Sequence, residues 1–173
     1  MNGEPIHQRA LFEEAPIPLR VRLIPAWMVI AGSLVTILPV VATLPILPPF
    51  GLLLLLGWRL HRPDALRVWA PLPLGFFDDL VSGQPLGSAI LLWTLCFLMI
   101  ELIDSRLVWR DFWQDWLIAT GAIAFCLEAG RFFASPFVAH VDTVLVLQIA
   151  VTVLLFPVIA RLCAWVDRKR DTP

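Results

Sequence analysis

The sequence predicts an all-α fold, a polytopic membrane bundle of six transmembrane helices joined by short loops. Three observations carry this. The chain is 59% hydrophobic and 16% charged, against roughly 45–50% apolar and 25% charged in a soluble domain. Its mean hydropathy is +0.81, and apolar runs recur along its length, several near the roughly 20 residues that a crossing needs. Its charges are also one-sided. With the N-terminus inside, 12 of the 13 Lys and Arg residues fall on the cytoplasmic side and only Arg131 falls outside, a strong positive-inside bias.

The organisation follows in chain order. Residues 1–22 read as a polar cytoplasmic tail, 23–166 as the transmembrane domain, and 167–173 as a basic cytoplasmic tail around Arg168-Lys169-Arg170. Glu4, Glu13 and Glu14 stand where a cleavable signal would be basic. The first span is read over 24–44, with Pro39 bending its far half. The second and third are short or interrupted by Pro and Gly: one is helical over 50–60 after Pro48 and Pro49, the other runs over 66–81 with Pro71, Pro73 and Gly75. A basic loop with Arg59, Arg62 and Arg67 joins them. Two spans are favoured over a re-entrant hairpin, which would place three arginines at membrane depth. The fourth span is read over 86–103, the fifth over 112–133 and the sixth over 141–165, with Pro157 as a kink. Trp109, Trp113 and Trp116 recur at helical spacing and predict an interfacial belt.

The most informative stretch lies between the third and fourth spans. It holds Gly75, Asp78, Asp79, Ser82, Gly83, Pro85 and Gly87. A charge at a helix centre costs about 2.5–3.5 kcal/mol on insertion scales, so acids here signal packing or function. Gly83 is read as ending one helix in a left-handed conformation, and Pro85 as opening the next. Ser82 reads as a turn or cap residue. Gly75, Gly83 and Gly87 permit close helix approach.

The chemistry of the chain argues against catalysis. Asp78 and Asp79 point about 100° apart on a helix, so they cannot both serve one small site, and no second acidic motif joins them. The expectation is therefore no catalytic, cofactor-binding or metal site. His7, His61 and His140 have no partner at ligand spacing, and no phosphate-binding loop occurs. Cys96, Cys126 and Cys163 sit in apolar runs and read as small packing residues. A net charge of −1 offers no reason for a nucleic-acid partner. Glu128 and Arg131, three apart on one helix, can pair. Arg131 is also expected to come within salt-bridge or water-bridged reach of Asp79 across the bundle, the alternative being that these groups face periplasmic water near the helix ends; Asp78 is expected to turn toward water or the lipid interface.

These residues carry a resemblance. Gly75-x-x-x-Asp79-Leu80-x-Ser82-Gly83-x-x-Leu86-Gly87 resembles the signature of the rod shape-determining protein MreD family, and Leu47 to Trp58 is similar to its second span. The likeness covers about residues 24–168. It implies a non-enzymatic inner-membrane component of the elongation machinery, without cofactors. Implied partners are the bitopic protein MreC, the actin-like MreB filament, the cell-wall glycosyltransferase and transpeptidase pair, and membrane lipid. The family's fold is also similar to the substrate-binding subunits of energy-coupling-factor vitamin transporters, which is the alternative function. Asp79 is the acid that matches the motif, while Asp78 has no implied role.

Overall fold

The computed structural model describes residues 19–37, 47–106, 111–134 and 143–171. Among them are six α-helices and no strand: α1 (Leu19–Leu34), α2 (Phe50–His61), α3 (Pro71–Ser82), α4 (Ser88–Asp104), α5 (Phe112–Ala134) and α6 (Thr143–Asp171). By length and composition, two of them can cross a membrane alone, over Phe112–Phe133 and Thr143–Lys169. The others are shorter. α2 and α3 have 12 residues each, about 18 Å at 1.5 Å per residue, against a hydrocarbon core of about 30 Å.

α2 is the centre of the fold. Every residue from Gly51 to Leu60 is buried, because α1 and α6 pack along it while α5 also touches it. Its five consecutive leucines fill all sides of the helix, as expected for a helix with no polar neighbour to face. Two glycines let its neighbours approach. A Cβ on Gly57 would meet Cys163 Sγ of α6 at 3.1 Å, and one on Gly51 would collide with the Ser33 hydroxyl of α1. α1 carries Gly32 against the start of α2 in the same way.

The ends of the helices are ordered. Gln148, near the start of α6, donates its side-chain amide to the carbonyl of Leu47, just before α2, at 2.8 Å. At the opposite ends, Arg62 meets Asp167 of α6 at 2.8 Å, and Arg59 meets Glu101 of α4. The C-terminal ends of α2, α4 and α6 therefore lie together. α6 continues as helix through Pro157 and to Asp171, so the basic segment after residue 167 is helical up to that point. The bend expected at Pro39 and the belt residue Trp109 lie outside the described residues.

Hydroxyls inside the bundle bond to their own helices. Thr120 donates to the Trp116 carbonyl at 2.7 Å and Thr152 to that of Gln148 at 2.6 Å. Such back-bonding satisfies a polar group without a partner from another segment.

Candidate functional site

The α3–α4 hairpin is built around one carboxylate. α3 ends where Gly83 takes φ +69°, and α4 starts after Gly87 takes φ +97°. Both glycines have open space where a Cβ would stand, so their requirement is backbone conformation and not contact. Gly87 offers α4 no side-chain cap. Asp79 supplies it from the preceding helix. Its Oδ2 accepts the Gly87 N–H at 2.8 Å, and its Oδ1 accepts the Ala89 N–H at 2.9 Å and the Ser88 hydroxyl at 3.0 Å. The carboxylate is 2% exposed. It also sits at the positive end of the α4 dipole, which favours a negative charge there.

Gly75 makes that reach possible. It lies one turn before Asp79 on the same face. A Cβ at Gly75 would stand 2.8 Å from Ile90 N and 2.9 Å from Ala89 C. These are backbone atoms, so α3 and α4 touch main chain to main chain. Gly75 brings the two helices together, and Asp79 fills the resulting end with its carboxylate.

Three expectations are corrected here. Asp79 is held by donors of its own hairpin, not by Arg131. Glu128 is exposed and forms no ion pair among the described residues, while Arg131 is half-buried near the end of α5. Asp78 does not turn to water. It is half-buried, with Oδ1 beside the point where a Gly51 Cβ would stand, next to Ser33 and Trp93. Pro85 lies ahead of α4, where its carbonyl accepts the Ser88 N–H at 3.1 Å. Ser82 is the last residue of α3, and its buried hydroxyl has no hydrogen-bond partner.

A second polar cluster joins Arg59 and Arg62, which the sequence places in a basic loop, to acids of α4 and α6. Arg59 is 3% exposed inside α2. It bonds to Glu101, lies 3.5 Å from Asp104, donates to the Pro63 carbonyl and covers the Phe97 ring at 5.6 Å. Arg62 holds Asp167, with His61 at 3.7 Å from the same carboxylate. Glu101 and Asp104, three apart at the end of an apolar helix, are the sequence signal for this clasp. Trp116 is likewise not simply an interfacial anchor, because its indole N–H donates to the Val153 carbonyl of α6 at 3.2 Å.

The two polar clusters thus tie helix ends to one another. Between α4 and α5 lies a cavity of about 530 Å³, lined by apolar side chains, among them Leu95, Met99, Ile100 and Phe125. Among the described residues no group of three or more His, Cys, Asp and Glu side chains is placed to hold a metal ion.

A helical bundle with apolar outer faces and polar groups spent on joining its helices is a membrane protein of structural type. The chain belongs to the MreD family, since the model of rod shape-determining protein MreD matches residues 19–166. None of the curated proteins and none of the solved structures matches it. Membership brings a role in determining rod shape. The match contains the whole hairpin and, of the clasp, Arg59, Arg62, Glu101 and Asp104, ending one residue before Asp167.

Proposed function

We propose that this protein is a non-enzymatic scaffold in the bacterial inner membrane that organises sidewall peptidoglycan synthesis within the elongation machinery. One observation carries the reading. The family match runs over residues 19–166, and the acid of its central motif is fully engaged in capping a helix. That acid is architecture, and a shape for partners to bind is what it preserves. Six helices cross the membrane with both termini inside. The gathering of the C-terminal ends of α2, α4 and α6 supports this, because alternate spans run in the same direction.

The partners in this reading are MreC, the actin-like MreB filament, and the glycosyltransferase and transpeptidase of the wall. The hairpin presents exposed Phe76, Leu80 and Leu86 to a partner's membrane helix. On the inner side the exposed residues Arg67, Arg106 and Arg168 meet anionic lipid, at about 1 kcal/mol per basic residue near the surface. Arg59 and Arg62 are committed to the clasp instead. The vitamin-transporter alternative lacks support: the cavity between α4 and α5 is apolar-lined, whereas a vitamin site needs convergent polar groups.

The test is depletion in a rod-shaped host. Cells should round, and the full chain should restore rods. A Gly75→Leu variant present at the same membrane level should not restore them. Normal rods after complete depletion would refute the reading, and loss of uptake of one vitamin in those cells would favour the transporter.

A further inference from the structure

We propose that Cys96 and Cys126 form a redox-active dithiol at membrane depth, closed to a disulfide by a bilayer-soluble two-electron oxidant of the quinone class. The two Sγ atoms lie 3.3 Å apart across the α4–α5 interface. A disulfide needs about 2.05 Å, so closure asks for an approach of roughly 1.3 Å. Both thiols are buried in mid-helix, so neither can swing away to another partner. Cys163, the third thiol, packs on Gly57 of α2.

The pair also has an entrance. Cys96 lines the cavity of about 530 Å³ between α4 and α5, within the range of roughly 300–1,000 Å³ typical of small-molecule sites. Gly121 and Ala122 form part of the wall, and a Cβ on Gly121 would meet nothing within 4 Å. The apolar lining admits an apolar ring and excludes charged reductants of the glutathione kind. The site is therefore open to oxidants dissolved in lipid and closed to the aqueous thiol pool.

The step balances. Two S–H bonds break and one S–S bond forms. Two electrons and two protons pass to the quinone, which leaves as the quinol. A buried thiol is a weak nucleophile until it loses its proton, and the carbonyl oxygens of the quinone are the acceptors the cavity otherwise lacks. Closure draws α4 onto α5 and narrows the cavity. This site is independent of the scaffold reading.

The experiment uses the full chain in proteoliposomes containing duroquinone, whose ring is fully substituted and offers no free position for thiol addition. The protein is then denatured, alkylated with N-ethylmaleimide and weighed intact. Reduced protein takes three adducts, one per cysteine. After duroquinone we expect one adduct, a linked peptide joining positions 96 and 126, and return to three after reduction in denaturant. Cys96→Ser should keep two adducts through the same treatment. Three adducts on the treated wild type, a link that includes Cys163, or thiol loss in Cys96→Ser would overturn the proposal.

Discussion

Asp79 Oδ1 accepts the backbone N–H of Ala89 at 2.9 Å, ten residues further along the chain. The last turn of one helix thereby caps the first turn of the next. Removing a cap costs about 0.5–2 kcal/mol, and each buried donor left unsatisfied adds about 1–3 kcal/mol. Asp79→Ala should therefore lower unfolding stability in detergent by on the order of 2–4 kcal/mol. Asp79→Asn keeps one acceptor oxygen and should lose less. Asp78→Ala removes no cap and should be milder than Asp79→Ala. An equal loss for the two alanine variants would contradict the assignment.

The glycines separate by mechanism. Gly75→Ala sets a Cβ within 3 Å of the α4 backbone, and overpacking of this kind costs about 1–3 kcal/mol. Gly121→Ala enters open space inside a helix, where Ala is favoured over Gly by about 0.5–1 kcal/mol. The first should lower the melting temperature of the purified protein and the second should hold or raise it. A reversed order would count against the close α3–α4 contact.

Arg59 and its two acids should respond unequally. Glu101 is 55% exposed at its side chain and can turn to water, whereas Arg59 cannot. Breaking a buried pair so that a charge is stranded costs about 3–5 kcal/mol. Glu101→Gln combined with Asp104→Asn strands the guanidinium and should approach that range. Arg59→Met leaves Glu101 free to turn to water, strands only Asp104, whose side chain is 19% exposed, and keeps most of the packing on Phe97, so its loss should be smaller. Urea or SDS titration of the three proteins would decide the order.

The outer clasp is weaker. Arg62 and Asp167 are 38% and 14% exposed, and pairs that solvent reaches contribute about 0–1 kcal/mol and fade with salt. Asp167→Asn should lower stability slightly at low ionic strength and negligibly at 1 M salt. A loss that persists at high salt would mean that Asp167 acts through something other than charge.

Much of the bundle was legible in the sequence. Pro48 and Pro49 before five leucines mark the start of α2, and Ser82-Gly83 marks the end of α3. Length also told that α2 and α3 are too short for ordinary crossings. The partners of the buried charges were not legible. A helix end lacking its own cap takes an acceptor from wherever the chain brings one, and only the fold shows that Asp79 arrives. Gly87, which has no side chain to cap with, was the available hint. Arg59 was misread because a guanidinium near a basic loop looks solvated until α4 brings Glu101 and Asp104 beside it. Asp78 was misread for a related reason, since Gly51 leaves the opening that receives it.

The enclosure of α2 has a consequence for how the protein is made. The ribosome delivers α2 before α3, α4, α5 and α6 exist. Until the last of these arrives, Gly57 lacks the α6 surface it is shaped to meet, and a helix of about 18 Å is poorly retained in a bilayer by its own length. Its lodging in the membrane is thus completed only when α6 has been synthesised. A chain truncated before residue 143 should be recognised by membrane quality control and degraded, even though every earlier helix is present. Pulse-chase of such a truncation beside the full chain would show the difference as a half-life.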